Sequence, residues 1–220
     1  MQYRVAVQSI TALTDSVYRL RTDKPQGYVF TPGQYTELAI DRPGFAEETR
    51  PFSFTSRPED AQLEFIFRSH RSHAGVTAEL EGVTAGTELV LEPPAGTITY
   101  RGPGCFIAGG TGITPFLSIF RSHSGRQDFG ANRLLFSNKT EQDRFLTAEL
   151  QALFDDRVRF VVTHDPTSHC DCTFIDLDYL RPFVESDRLY YVCGPDDMVK
   201  EICTALSALG VGEHNLVLER

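Results

Sequence analysis

Three short segments carry residue types whose spacing suits phosphate and flat-ring chemistry. In Arg50-Pro51-Phe52-Ser53-Phe54-Thr55-Ser56, a cation, an aromatic ring and a hydroxyl fall within one short run. On a strand, Arg50, Phe52 and Phe54 share one face, while Pro51, Ser53 and Thr55 share the other. A guanidinium fork makes two parallel charge-assisted bonds to a phosphate, and an aromatic ring stacks on a flat heterocycle without demanding hydrogen bonds. Taken alone, the run better fits an ordinary edge strand with a surface arginine. The second segment, Gly109-Gly110-Thr111-Gly112-Ile113-Thr114-Pro115, follows the apolar run Phe106 to Ala108 and opens a helical pattern. Glycines there let the backbone approach a pyrophosphate, which the helix N-terminus stabilises. It departs from G-x-G-x-x-G, so the usual dinucleotide fold does not follow from it. The third, Cys193-Gly194-Pro195-Asp196-Asp197-Met198, again follows an apolar run, Leu189 to Val192. A thiol there is small enough to meet a ring without filling its pocket, and a buried structural cysteine is the competing reading.

The elements that must position these segments change character near residue 100. Before it, short alternating runs separated by turns predict strands at Tyr3 to Ile10, Ser16 to Thr22, Tyr35 to Ile40, Pro51 to Ser56, Gln62 to Arg68 and Glu88 to Glu92, with one helical piece at His73 to Leu80. That is the pattern of an antiparallel sandwich or barrel. After Gly102-Pro103-Gly104, strand-like runs alternate with helical ones: Cys105 to Ala108, Pro115 to Arg121, Leu134 to Ser137, Asp143 to Leu153, Val158 to Thr163, Leu189 to Cys193, Met198 to Leu209 and Asn215 to Leu218. Such alternation predicts an α/β parallel sheet whose ligands bind beyond the C-terminal strand ends. The expected fold is therefore two domains, an antiparallel β-barrel over 1–100 and an α/β parallel-sheet domain over 101–220.

Composition sets the outer bounds. The 220 residues, 41% hydrophobic and 23% charged, suit a globular chain with its own core. A formal charge of −9 argues against nonspecific nucleic-acid binding. Arg68, His70, Arg71 and His73 form either a local basic patch for an acidic protein or a solvated loop. No apolar run is long enough to span a membrane and the first residues lack a signal-peptide pattern, so the expectation is a cytoplasmic chain without membrane association. The five cysteines, Cys105, Cys170, Cys172, Cys193 and Cys203, fit neither disulfide pairing nor a plant-type iron–sulfur run. His164, His169, Cys170 and Cys172 lie close together but lack a second pair at metal-ligand spacing, so no metal is assigned and a polar loop is expected. Asp176, Asp178 and Glu185 read as a solvated face around Leu177, Leu180 and Phe183.

In this order and at these separations, the three segments make the chain resemble the ferredoxin NADP reductase family, closest to its compact bacterial ferredoxin or flavodoxin reductase-like members. The resemblance covers nearly the whole chain. It implies FAD, rather than FMN, in the barrel and NADH or NADPH on the parallel sheet. Arg50 would contact the flavin phosphates, with Pro51 in the same strand. Phe52 would stack on the isoalloxazine where the family usually has tyrosine, and Ser53 would sit near flavin N5. Ala74-Gly75-Val76-Thr77 is a looser match to the second phosphate-binding segment, through backbone N–H groups. Gly110, Thr111, Gly112 and Pro115 would meet the nicotinamide dinucleotide's pyrophosphate. Cys193, with Gly194 and Pro195, would lie beside its reactive ring. Ser53 and Cys193 then act catalytically by positioning, since the cofactors carry the hydride.

The same resemblance implies a separate electron acceptor: ferredoxin, flavodoxin or an oxygenase component. A flavin reductase releasing free flavin and a non-catalytic flavin-binding subunit are the alternatives. Glu219 either approaches the nicotinamide or is a solvated charge. Arg220 stands where plant-type relatives carry an aromatic flavin shield, so an open flavin face or a cover from another residue is expected. The donor is read after the second strand of the second domain. There Lys139 and Arg144 could pair a 2′-phosphate, while Glu141 or Asp143 could accept from a free hydroxyl. Equal numbers of acids and bases, with no adjacent cationic pair, favour NADH without settling it.

Overall fold

The computed structural model describes residues 2–69, 75–166 and 168–219. Contacts divide the chain into two compact units, 1–99 together with 114–122, and 100–113 together with 123–220.

The first unit holds β1 (Tyr3–Ala12), β2 (Val17–Asp23), β3 (Tyr35–Ile40), β4 (Arg50–Ser53), β5 (Gln62–Arg68), the short helix α1 (Val76–Glu81) and β6 (Glu88–Leu91). Their order in the sheet is β4-β3-β6-β1-β2-β5, every pairing antiparallel. A bridge between Phe54 and Phe65 joins the two edge strands, so the sheet curls into a near-barrel. Alternation selects the interior: Val5, Val7, Leu38, Ile40, Leu63, Phe65, Phe67, Leu89 and Leu91 all point into one buried cluster. Each such side chain contributes about 1.5–3 kcal/mol by leaving water. The predicted helix from His73 starts instead at Val76, and residues 73 and 74 lie outside the described residues.

The second unit's sheet contains β7 (Gly104–Gly109), β8 (Arg133–Asn138), β9 (Val158–Val162), the two-residue β10 (Asp171–Cys172), β11 (Leu189–Cys193) and β12 (Leu216–Leu218). Helices α2 (Thr114–His123), α3 (Thr147–Phe154), α4 (Leu177–Leu180) and α5 (Asp196–Ala208) fall between them in sequence. The order β10-β9-β8-β7-β11-β12 is parallel throughout. The chain runs outward from β7 through β10, then returns to lay β11 on the opposite side of β7. The strand order thus reverses between β7 and β11, where parallel sheets open a crevice for ligands.

Two sequence expectations shift here. The helix predicted from Asp143 begins only at Thr147, because Glu141–Asp143 forms a separate 3₁₀ turn closed by reciprocal Thr140–Asp143 bonds, and Leu146 takes a left-handed φ of 55°. Helix α2, expected with the second domain, packs with the barrel unit from Thr114 to Ser122. Ser118 Oγ donates to Ser56 O at 2.7 Å, and Arg121 Nη1 donates to Thr55 O and Glu64 Oε1, each at 2.7 Å. Burial alone would raise the Glu64 carboxyl, but the Arg121 charge and hydrogen bond, with Arg19, hold it below the usual range.

Candidate functional site

In the barrel unit, β4 presents Arg50 at its open end. The guanidinium is about half exposed and lightly held, with Nη1 on Thr49 O at 2.6 Å and Nη2 on Glu48 at 3.4 Å. Pro51 beside it is exposed, and Ser53 is half-buried, paired in the ladder with Tyr35. Gly75 caps α1 in an extended conformation, and among the described residues no atom beyond its chain neighbours lies within 4 Å of where a Cβ would stand. The N–H groups of Val76 and Thr77 that follow have no intrahelical acceptor. These residues fit the phosphate end of FAD.

Phe52 lies inside the barrel. It is 4% exposed, with ring centroids 5.7 Å from Phe67 and 6.3 Å from Phe65 at steep angles. The alternation that sends Phe54 inward sends Phe52 inward too, so the face expected to stack on a flavin is covered by the barrel core. Stacking would require this ring to swing out.

In the sheet unit, the two segments flanking the reversal interlock. Gly110 has φ 53°, which favours glycine, and Gly110–Ile113 forms a 3₁₀ turn before Pro115, the second residue of α2. A Cβ on Gly112 would stand 2.6 Å from both the Cys193 carbonyl carbon and Gly194 Cα. One on Gly109 would reach Pro195 Cδ at 3.0 Å, and one on Gly194 would reach Gly109 N at 3.1 Å. Thr111, between the glycines, is half-buried. Gly112 is therefore packed against Cys193 and Gly194, and Gly109 against Gly194 and Pro195, while Gly110 and Thr111 lie in the turn between the two glycines.

Burial pushes the Cys193 thiol up to about 12, and the Glu219 carboxylate adds to the shift. Cys193 is consequently a neutral thiol, suited to contact rather than nucleophilic attack. Glu219, ambiguous in the sequence, lies within electrostatic reach of it.

The loop after β8 holds residues that pattern alone did not resolve. Arg144 donates from Nη1 to Glu141 Oε1 and to Cys170 Sγ at 2.8 Å, with its guanidinium 4.4 Å over the Phe160 ring. Ser168 Oγ donates to Glu141 Oε2 at 2.5 Å. Asn138, 4% exposed at the end of β8, has neither amide atom hydrogen-bonded among the described residues. Its signal in the sequence was a polar residue closing an apolar strand. Cys172 Sγ lies 3.3 Å from Asp165 O, and no three metal-ligating groups converge among the described residues. Of the basic patch, Arg68 bonds Ser16 Oγ at 3.2 Å, while His70, Arg71 and His73 lie outside the described residues. No helix among the described residues is long and apolar enough to cross a membrane.

Residues 2–103 match the FAD-binding domain family, and residues 106–204 match the oxidoreductase NAD-binding domain family. The chain belongs to the ferredoxin reductase-like family. Among its relatives is the ferredoxin–NAD(P)(+) reductase component of the naphthalene 1,2-dioxygenase system of Pseudomonas putida, 28% identical over 220 residues, covering 96% of this chain and 66% of that one. The propane 2-monooxygenase reductase component of Rhodococcus jostii (strain RHA1) is 32% identical over 157 residues, covering 68% and 42%. This ferredoxin reductase-like chain thus spans less than two thirds of both relatives. The same fold occurs in a ferredoxin NADP+ reductase from Neisseria gonorrhoeae with bound FAD and NADP, at a TM-score of 0.86 and 20% identity, covering 99% of this chain and 97% of that one.

Proposed function

We propose that this chain is an NAD(P)H-dependent flavoprotein reductase that holds FAD on its barrel and passes electrons to a separate ferredoxin, flavodoxin or oxygenase component. The observation that carries the reading is the interlocked Gly109–Gly112 and Cys193–Pro195 surface at the strand reversal. It offers backbone N–H groups to a pyrophosphate and an uncharged thiol to a nicotinamide ring. When bound, FAD accepts a two-electron hydride and releases electrons singly. Arg50 and the start of α1 hold its phosphates. Ser53 positions its ring edge by a hydroxyl hydrogen bond, and the glycine loop with Pro115 orients the dinucleotide. Free thiols at all five cysteines support a cytoplasmic setting.

Anaerobic stopped-flow absorbance of the FAD-loaded protein, mixed separately with NADH and NADPH, tests the proposal. Rapid bleaching near about 450 nm by either nucleotide is the expected result, and bleaching by neither would sink it. The buried ring of Phe52 favours a second reading, a flavin reductase that releases its flavin, because less stacking surface means weaker retention. Loss of the flavin through gel filtration would select that reading.

A further inference from the structure

The loop after β8 decides which nucleotide the sheet accepts, an inference that rests on the reductase reading. Gly109 pairs with Ser137, so Gly110 and Asn138 leave the sheet side by side. The chain that follows Asn138 therefore lies beside the glycine turn, where the ribose 2′ group of an adenine dinucleotide is read. The residues there are Lys139, Thr140, Glu141, Asp143 and Arg144.

Arg144, which in sequence looked free to pair a 2′-phosphate, is already occupied. Its side chain is 14% exposed, paired with Glu141, bonded to Cys170 Sγ and laid over Phe160. Asp143 is turned back onto Thr140, accepting from its N at 3.1 Å and its Oγ1 at 2.8 Å. Lys139 is exposed and its side chain makes no hydrogen bond or ion pair among the described residues, so it offers one flexible point charge rather than a fork. Glu141 keeps 38% of its side chain exposed while Ser168, Arg144 and Cys170 hold it in place. A fixed carboxylate accepts from a ribose hydroxyl and repels a phosphate. We propose that the Glu141–Arg144 pair selects NADH over NADPH, Glu141 binding the free 2′-hydroxyl and withholding Arg144 from a 2′-phosphate. Ser168 contributes by bonding Glu141's second oxygen, which supports an ionised carboxylate.

Calorimetric titration of the FAD-loaded protein with NAD+, NADP+, 5′-AMP and 2′,5′-ADP tests this without relying on turnover. The wild type is expected to bind NAD+ about tenfold or more tightly than NADP+, with the same order for 5′-AMP against 2′,5′-ADP. Glu141→Gln frees Arg144 and should narrow or invert both ratios, while Glu141→Asp should restore them in part. Ser168→Ala, a milder change outside the ion pair, should move them the same way by less. Equal or tighter NADP+ binding by the wild type, or ratios indifferent to Glu141→Gln and Ser168→Ala, would overturn the inference and leave the reductase reading intact. Absence of binding to either dinucleotide would overturn both.

Discussion

Asn132 and Asn138 stand at opposite ends of β8, both almost wholly buried, and their amides are treated differently. Asn132 accepts from Gly104 N at 2.9 Å and donates to Phe129 O at 3.0 Å and Tyr100 Oη at 3.1 Å. Asn138 has no such partner among the described residues. The contrast extends along the sheet. At the N-terminal strand ends, Tyr191 Oη bridges Arg101 N and Gly102 O, Arg157 donates to Asn132 O, Arg188 to Ala131 O and Asn215 to Arg188 O. The C-terminal ends carry close-packed glycines, a protonated thiol and the unsatisfied Asn138. At one end the buried asparagine side chain is fully tied into internal hydrogen bonds, whereas at the other the Asn138 amide has no partner among the described residues.

The largest effect should come from Gly112→Ala. Its methyl would meet backbone atoms of Cys193 and Gly194 at 2.6 Å, and backbone cannot yield as a flexible side chain can. We expect kcat/KM for the nucleotide to fall about 100-fold through displacement of the loop, with the thermal midpoint lowered by the overpacking. Unchanged kcat/KM would remove the functional assignment of this end.

A paired comparison is next in size. Asn132→Ala should cost about 2–3 kcal/mol in urea unfolding, because it strands a buried N–H and a hydroxyl, and should leave nucleotide affinity alone. Asn138→Leu, of similar shape, should leave stability unchanged or raised, since it removes a buried polar group without a partner. If Asn138→Leu destabilises as much as Asn132→Ala, the two ends are not different in kind.

The smallest effect concerns pH. The Cys193 thiol lies at about 12 against an ordinary 9.0. A raised pKa keeps its stabilising contribution whole below the unfolded value and loses it as pH climbs from 9.0 toward 12. Flavin bleaching rates should therefore show no inflection from Cys193 between about pH 6 and about pH 9. Iodoacetamide should modify the exposed Cys172 well before Cys193, and preferential labelling of Cys193 near neutrality would contradict a protonated thiol there.

Much of this was legible beforehand. The strand from Gln62 to Arg68 appears at those residues, because Leu63, Phe65 and Phe67 recur at the two-residue period that puts them on one face of a strand. The glycine segment could be placed between strand and helix because apolar runs bound it on both sides. Less legible was β10, whose two exposed polar residues have no periodicity and join the sheet only through Val161 and Val162. The burial of Phe52 was not legible, because alternation tells which residues share a face, not which face is the interior. The stacking expectation needed Phe52 outward, while Phe54, Phe65 and Phe67 drew that face inside.

By itself the sequence determined the change of architecture near residue 100, the barrel strands, the α/β alternation and the place of the glycine turns between strand and helix, since all are set by local periodicity and turn chemistry. Tertiary structure alone decided that β11 returns beside β7 to pack Cys193 and Gly194 against Gly112, that Arg144 is consumed by Glu141, and that among the described residues the Asn138 amide finds no partner where that of Asn132 does. Those outcomes depend on which side chains meet across long separations in the chain, and a linear pattern carries no information about whether a given charge or amide finds its partner.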